Sequence, residues 1–383
     1  MVMTAYTPTT NVAITQYMDV LVSAPANVPR LDYDPITGQP LGLLIESAST
    51  NLLTYSGVIG GTNWSNYYTI TSLNLIISPD GTTSGSKIYA DTTNNFHCVS
   101  TLNFTFSVNT YTISVYAKKG ENNFLYIRES ISDNTTIQNS FFNLSTGTLG
   151  TIATQRTGTI TDVGNGWYRC AITVTAKVGT SNVNFGVAVS DNTPFYTGDG
   201  FSGIYLWGAQ LEYGYAAIAT SYIPTTTTTV YRDSDKPLMI GTNFSSWYNQ
   251  SQGTIQVNCD YISKSTNLGV YSLNNGSGLT RLDARTSGAL NSNNGIPLNS
   301  ANLSGQFFNR TQNKIAISYV VNSSAGSVNG SISTYTLTVM PVVTELQIGG
   351  LDNVWDHSLH GHIRKISYYP VALSSANLQA LTS

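Results

Sequence analysis

Three of the chain's four histidines lie within six positions, in the stretch WDHSLHGHIRKISYYP at residues 355–370. His360 and His362 stand two residues apart, and on a β-strand this spacing directs both imidazoles to the same face. With His357 they would supply three nitrogen ligands to a zinc ion, and Asp356 offers a nearby carboxylate. The alternative interpretation is structural, in which the stretch is a loop followed by a strand.

Hydrolysis of a polysaccharide needs two carboxylates that flank the scissile bond. Jelly-roll glucanases space them as Glu-x-Asp-x-x-x-Glu on one strand, and this chain contains no such string. Glu212, in WGAQLEYG, is instead expected to accept hydrogen bonds from backbone amides or hydroxyls. The stretch GDGFSG does not satisfy the Gly-x-Ser-x-Gly pattern of a serine nucleophile. We therefore predict no catalytic residues.

The composition argues against a nucleic-acid-binding protein and against a membrane protein. Only 10% of the 383 residues are charged, where about a quarter is usual, so the surface is expected to be rich in uncharged polar groups. The net charge of -3 and the scattered basic residues give no footprint for nucleic acid. The sequence has neither an apolar run long enough to span a membrane nor the pattern of a signal peptide. We expect no nucleic-acid partner, no membrane insertion and assembly in a cytoplasm.

The three cysteines form no disulfide framework, and none belongs to a Cys-x-x-Cys pair. Cys170 and Cys259 fall within alternating apolar runs, which predicts that both are small buried side chains. Cys98 follows His97 and makes a weak metal-binding pair at best.

Short runs with a period of two dominate the chain. In YTISVYAKK the residues Tyr111, Ile113, Val115 and Ala117 share one face, and many similar runs are separated by turns rich in Gly, Asn and Asp. This pattern predicts an all-β protein of antiparallel sandwich or jelly-roll type. One helix is expected at the C-terminus, where Ser374 is placed to cap it.

The pattern along the chain divides it into three parts. Residues 1–30 alternate little and are too few to form a core, which predicts a short segment that docks on something else. A charged stretch at residues 232–236 follows a β-branched run and is interpreted as a boundary between two sandwiches. We therefore predict a first sandwich over residues 31–235 and a second over residues 236–383.

Several motifs resemble a module of tail-fibre and other virion proteins of tailed bacteriophages. They are VPRLDYDPITGQPLGLLIESASTNLLT, VGNGWYRC, YTGDGFSGIYLWGAQLEYG and ATSYIPT. The resemblance covers most of residues 28–232 and implies a carbohydrate-binding-type jelly roll. In this module Trp167 and Trp207 belong to recurrent motifs and are expected to be packing residues.

The second half resembles the concanavalin-like, laminin-G-type domain that often follows that module, through GTNFSSWYNQSQGT, NKIAISY and GHIRKISYYPVALSSANLQALT. The resemblance makes GHIRKISYYP a late strand, which implies no metal duty for His362. It also implies a homotrimer, in which histidines near a symmetry axis would complete a metal site between chains. No cofactor is predicted, although a structural zinc at the histidines or a calcium at an oxygen-rich loop such as DTTNN stays open.

A jelly roll binds glycans by laying a sugar ring on an exposed aromatic side chain and pairing its hydroxyls with polar groups. Aromatic residues in polar, loop-like stretches are the candidates for this role. They are Trp64, Tyr67, Tyr68, Trp247, Tyr248 and Trp355.

The resemblance implies a non-enzymatic virion protein, a tail-fibre or spike subunit that binds host-surface glycans during adsorption. Its N-terminal segment would attach to other virion proteins, and the protein would be found in the virion after assembly in the host cytoplasm. One alternative is a decoration or head-fibre protein of the head or tail with a structural role. The other is a depolymerase of capsular polysaccharide.

Overall fold

The chain is described from a computed structural model, which covers residues 5–7, 13–17, 20–25, 27–131, 137–213, 218–262, 267–277, 280–287, 289–294, 299–302, 307–351 and 358–383. These residues form antiparallel sheets and two short helices, which confirms the predicted all-β class. No helix in the described ranges is long and apolar enough to cross a membrane.

The strands and helices follow one another in chain order. Residues 5–51 form β1 (Ala5–Thr7), β2 (Ala13–Tyr17), β3 (Val20–Ala24), β4 (Leu31–Tyr33), β5 (Pro40–Ile45) and β6 (Ser49–Asn51). Residues 65–213 form β7 (Ser65–Tyr67), β8 (Thr69–Ile77), β9 (Thr83–Ala90), β10 (Asn94–Ser100), β11 (Phe104–Phe106), β12 (Thr110–Lys119), β13 (Phe124–Glu129), β14 (Gln138–Asn143), β15 (Thr148–Leu149), β16 (Arg156–Asp162), β17 (Trp167–Thr175), β18 (Gly179–Ser181), β19 (Asn184–Ala188), β20 (Phe195–Thr197) and β21 (Gly203–Tyr213). Residues 230–382 form β22 (Val230–Arg232), β23 (Lys236–Ile240), α1 (Thr242–Ser245), β24 (Gln252–Cys259), β25 (Gly269–Asn274), β26 (Thr280–Arg285), β27 (Ala289–Asn294), β28 (Asn299–Asn302), β29 (Asn313–Val320), β30 (Ser324–Val328), β31 (Ser331–Tyr335), β32 (Glu345–Ile348), β33 (Gly361–Tyr369) and α2 (Ser375–Thr382).

The first sandwich consists of two sheets. Sheet I has the strand order β15-β14-β13-β19-β10-β20, with β7 also paired to β10, and sheet II has the order β16-β17-β12-β21-β9-β8. The alternation read from YTISVYAKK is confirmed, because Tyr111, Ile113, Val115 and Ala117 all lie in the core between these sheets. Cys170 lies in the same core, as predicted.

The second sandwich contains strands from both ends of the chain. Sheet III has the order β1-β23-β32-β25-β26-β27-β28, and sheet IV has the order β31-β30-β29-β24-β33-β5-β4. Strand β5 pairs with β33, with Ile45 opposite Gly361, so that Leu43 and Ile45 join the core of the second sandwich. The sequence predicts residues 31–45 to be part of the first sandwich, whereas their strands β4 and β5 extend sheet IV of the second.

The charged stretch interpreted as a boundary is buried between the two sandwiches. Arg232 and Asp235 are fully buried, and they form an ion network with Arg30 and Glu46. Glu46 lies 2.9 Å from Nη1 of Arg30 and 3.1 Å from Nη1 of Arg232. Burial opposes ionisation of Glu46, but the two guanidinium groups outweigh it and lower the pKa of this carboxyl. The sequence of this stretch suggests a solvated linker, but in the structure Arg232 and Asp235 are buried and form ion pairs where the two sandwiches meet.

The described part of the N-terminal segment packs on the chain itself. Leu21 of β3 joins Tyr116, Trp167, Trp207 and Tyr222 in an apolar cluster on the outer face of sheet II. The packing roles predicted for the two tryptophans are confirmed by their burial.

The C-terminal helix α2 was also predicted from the sequence. The Ser374 side chain accepts a hydrogen bond from the backbone N–H of Asn377 and caps the helix. Leu378 packs with Ala316 and Ala325 of sheet IV, and Leu373 lies against the same cluster. The helix therefore covers the outer face of the second sandwich at this point.

Candidate functional site

Four aromatic rings and one arginine gather on the outer face of sheet I. We call Tyr67, Tyr68, Phe96, Phe195 and Arg128 the aromatic patch. The Phe96 ring lies at its centre, with centroids 5.5 Å from Tyr68, 5.7 Å from Phe195 and 6.4 Å from Tyr67. Tyr67 is 42% exposed and Tyr68 is 41% exposed. The patch therefore presents aromatic surface to solvent.

Arg128 lies over the central ring of the patch. Its Cζ is 4.2 Å from the centroid of Phe96, a cation–π contact. Within the part of the chain that the structure describes, its guanidinium has no hydrogen bond or ion pair, so its N–H donors are unused. Five donors in a planar fork beside exposed rings suit a ligand with several oxygens.

The patch borders a hollow of about 190 Å³ whose lining includes Tyr67, Phe96, Arg128 and Asn184. The Asn184 amide donates to the backbone carbonyl of Arg128 at 3.2 Å and so ties β19 to β13. Glu129, also in the lining, accepts from Arg156 and from the Ile131 amide. This carboxylate is therefore already engaged in holding the structure and is not a free acid in the hollow.

The strands beneath the patch are braced by a buried histidine and a close ring contact. His97 contacts the carbonyls of Tyr68 and Tyr196 through its two ring nitrogens, at 2.5 and 3.1 Å. Tyr126 covers Gly186 on the neighbouring strand, where a Cβ would meet the tyrosine ring at 2.1 Å. The fourth histidine of the chain thus positions the Tyr68 turn and β20.

Tyr67 and Tyr68 are candidates from the sequence, but Phe96, Phe195 and Arg128, which the structure places beside them, are not among those candidates. A signal was present in NFLYIRE, where Ile127 points into the core and the alternate residues Phe124, Tyr126 and Arg128 point outward. An outward face of an antiparallel strand is usually polar. Aromatic residues next to a cation on that face were the unused indication.

The candidates Trp247 and Tyr248 lie in a different environment from the one expected. They pack with Phe244, Tyr319 and Tyr368 against the second core, a group that we call the closed cluster. Tyr248 stacks on Phe244 at 4.6 Å, and the indole N–H of Trp247 donates to the Asn243 carbonyl at 2.6 Å. The polar, loop-like stretch just before them forms the short helix α1, and the amides of Trp247 and Tyr248 both donate to the Phe244 carbonyl. Both rings therefore pack against the second core.

The other two tryptophan candidates, Trp64 and Trp355, are not part of the aromatic patch as described. Trp64 is half-buried, with its ring 6.1 Å from Phe185 and its indole N–H donating to the Tyr55 carbonyl at 3.3 Å. It supports the loop before β7 rather than the patch itself. Trp355 lies outside the described residues.

The histidine stretch forms hydrogen bonds with residues far away in the sequence. His362 bridges two carboxylates, with Nδ1 at 2.8 Å from Asp260 and Nε2 at 2.9 Å from Asp32. Burial opposes its protonation, but the two carboxylates outweigh it and raise the pKa of His362 to about 9. His362 is therefore a charged link between β33, β4 and the end of β24.

His360 precedes the strand, with φ at 50°, so the two-residue strand spacing that motivated a zinc site does not apply to this pair. Its Nε2 lies 2.6 Å from the Ser47 hydroxyl, and burial lowers its pKa to about 4. His357 and Asp356 lie outside the described residues. Among the residues that are described, no three His, Cys, Asp or Glu side chains are grouped to hold a metal ion.

Glu212 accepts four hydrogen bonds, which confirms the structural role predicted for it. The donors are the Ser49 hydroxyl at 2.6 Å, the Gln210 amide at 2.9 Å, and the hydroxyl and backbone N–H of Thr220. These contacts join β6 and the segment after β21 to sheet II.

No protein-family model matches this chain, and no curated protein matches it. Among solved structures, it is similar to the CBM40 of the Ruminococcus gnavus IT-sialidase bound to alpha2,3 sialyllactose, at 17% identity and a TM-score of 0.33, over 39% of this chain and 93% of that one. The NanB sialidase of Streptococcus pneumoniae is 16% identical with a TM-score of 0.30, over 36% and 25% of the two chains. The Trypanosoma rangeli sialidase is 10% identical with a TM-score of 0.29, over 78% and 60%. Similarity at this level assigns neither a ligand nor an activity to this chain.

Proposed function

We propose that this chain is a non-enzymatic glycan-binding protein and that the aromatic patch of the first sandwich is its binding surface. The observation that carries the proposal is Arg128, which lies over Phe96 with its donors unused, beside the exposed rings of Tyr67 and Tyr68. Aromatic faces with an adjacent set of donors match the two demands of a sugar, which are contact with its C–H face and pairing of its oxygens.

Two glutamates of the first sandwich are engaged within the fold, which supports binding over catalysis. Glu129 beside the hollow is paired with Arg156, and Glu212 accepts four hydrogen bonds within the fold. A glycosidase needs one protonated and one ionised acid that face a common bond. Neither carboxylate is placed for such work.

The setting that we propose is the virion of a tailed bacteriophage, with this chain as a tail-fibre or spike subunit that binds host-surface glycans. The support is the resemblance of residues 28–232 and of the second half to modules of such proteins. Homotrimerisation and attachment to other virion proteins through residues 1–30 belong to the same proposal. Imaging of labelled particles with an antibody to this chain would test it, and absence of the chain from purified virions would contradict it.

Binding at the patch is tested with a glycan array, followed by titration of the best glycan. Arg128→Gln and Tyr67→Ala are each expected to weaken binding about tenfold, since each removes one of the two kinds of contact. The matched control is Phe201→Ala, because Phe201 is exposed and lies under Lys87, whose charge is already paired with Glu121. Full affinity in both patch variants would contradict the assignment.

Enzymatic activity is tested on the same glycan. Incubation with the wild-type protein should release no reducing ends. Release that persists in the Arg128→Gln variant would show that a different site cleaves the polymer.

A further inference from the structure

A second cavity lies between the two sandwiches, away from the aromatic patch. Its volume is about 290 Å³, near the lower end of ligand pockets, which suits a molecule of monosaccharide size. Sheet II contributes Tyr116 and Arg169 to its wall, the strands of sheet IV contribute Leu44 and His362, and His360 lies just before β33. Both sandwiches therefore line the same space.

Two nitrogens in this wall are buried without a hydrogen-bond partner in the described chain. One is Nε of Arg169, and the other is Nδ1 of His360, whose side chain is buried with the residue only 3% exposed. Buried polar atoms are nearly always paired, because an unpaired one loses its bonds to water without replacement. Two such atoms in one cavity indicate a polar ligand that the protein is built to receive.

Two guanidinium groups in the lining have no carboxylate within ion-pair distance in the described residues. Arg169 donates a hydrogen bond to the Ser114 hydroxyl at 3.2 Å, and its Cζ lies 5.3 Å from the centroid of the Tyr116 ring. Arg310 also lines the cavity, with an exposed side chain. Of the carboxylates in the wall, Asp32 is paired with His362, and Glu46 is held by two arginines.

Asp162 is the remaining carboxylate in the wall, and it accepts a hydrogen bond from the Gly164 amide. The charges of the whole wall balance, since Asp32, Glu46 and Asp162 are matched by Arg169, Arg310 and His362. Arg169 is nevertheless half-buried and has no carboxylate partner in the described residues, and a partly desolvated guanidinium is stabilised by an opposite charge. An anionic group placed against Arg169 therefore complements this cavity.

We propose that the cavity between the sandwiches binds a small organic carboxylate of monosaccharide size, with Arg169 as the carboxylate-binding residue and His360 as a hydrogen-bonding partner. The guanidinium fork of Arg169 matches the two oxygens of a carboxylate. The rings of Tyr116 and Tyr222 and the Leu44 side chain offer apolar contacts to the rest of the ligand. The site is distinct from the aromatic patch and does not depend on the function proposed for it.

The test is a titration of the full chain with D-glucuronate and, in parallel, with D-glucose, which has nearly the same shape and lacks the carboxylate. We expect saturable binding of glucuronate and at least about tenfold weaker binding of glucose. Arg169→Gln should weaken glucuronate binding about tenfold, and Arg128→Gln in the aromatic patch should leave it unchanged.

Two outcomes overturn the proposal. One is the absence of saturable glucuronate binding by the wild-type chain. The other is loss of glucuronate binding in Arg128→Gln with retention in Arg169→Gln, which would place the ligand on the aromatic patch and leave the proposed function intact.

A second measurement avoids reliance on the folding of the Arg169 variant. The wild-type chain is labelled with ¹⁵N on its histidine rings, and the His360 signals are assigned by their loss in His360→Gln. Glucuronate should shift the His360 Nδ1 signal in proportion to saturation, while the His97 signals beneath the patch stay in place. Unmoved His360 signals at saturating glucuronate would contradict the proposal.

Discussion

The aromatic patch and the closed cluster contain similar residues in opposite environments. Both were candidates because their aromatic residues stand in polar stretches of sequence. In the patch, Tyr67 and Tyr68 lie on a sheet face and keep about two fifths of their surface exposed. In the closed cluster, Tyr248 is stacked on Phe244 and packed against the second core. The local sequence therefore identified the residue type but not the direction of the ring.

The difference has a physical origin in the elements that hold the rings. Residues 65–67 form a strand at the edge of a sheet, where a side chain off the core face meets solvent. Phe244 lies in α1, and Tyr248 follows the end of this helix by three residues. The Tyr248 amide donates to the Phe244 carbonyl at 3.2 Å, which continues the helical turn and places both rings on one face against the second core. Whether an aromatic side chain is buried therefore depends on which face of its strand or helix it occupies. The polar residues around it in the sequence do not indicate that face.

The largest expected effect is a difference in stability between variants of the closed cluster and variants of the aromatic patch. Tyr248→Ala should lower the free energy of unfolding by about 3 kcal/mol, because it leaves a cavity in packed aromatic surface. Tyr67→Ala should change it by about 1 kcal/mol or less, since that side chain lies on a sheet face and is already 42% exposed. Urea denaturation of both variants measures the contrast, and equal losses would remove the distinction between patch and closed cluster.

A change of pH should alter the stability of sheet IV, which lies beside the closed cluster and contains His362. The pKa of His362 is about 9 in the folded chain and ordinarily about 6.5, so its stabilising effect is complete below about pH 6.5 and is lost as the pH rises through 9. At about 1.4 kcal/mol per unit of pKa difference, we expect a loss of about 3 kcal/mol between pH 6.5 and pH 9.5.

Denaturation across this range measures the effect of His362. His362→Gln should flatten most of the slope, because an amide does not titrate. A slope unchanged by this substitution would show that the bridge between Asp32 and Asp260 contributes little.

The smallest expected effect concerns Trp64, which stands near Tyr67 in the sequence. Trp64→Phe removes the hydrogen bond to the Tyr55 carbonyl and should cost about 1 kcal/mol of stability. Glycan affinity should not change, since the ring faces Phe185 and not the patch. Reduced affinity with unchanged stability would move Trp64 into the binding surface.

Much of the fold was predictable because its causes are local. The alternation of Tyr111, Ile113, Val115 and Ala117 gave a strand with the correct core face, and Ser374 gave the cap of the last helix. The structural role of Glu212 followed from the absence of a second acid at the right spacing.

The remainder depends on contacts between distant residues. Asp32 and His362 are 330 positions apart, and neither neighbourhood indicates the other. The charged stretch at residues 232–236 reads as a solvated break until Arg30 and Glu46 are brought beside it. Likewise, Arg128 becomes part of a site only when β10 places Phe96 beneath it.

The pairing of β5 with β33 has a consequence for how the chain matures on the ribosome. Sheet IV contains a strand made early and a strand made late, with the whole first sandwich synthesised in between. The first sandwich has all of its own strands long before β33 emerges, whereas Leu43 and Ile45 must wait for a partner. Until then this apolar strand has an open edge, which leaves the nascent chain vulnerable to misassembly until β33 has emerged.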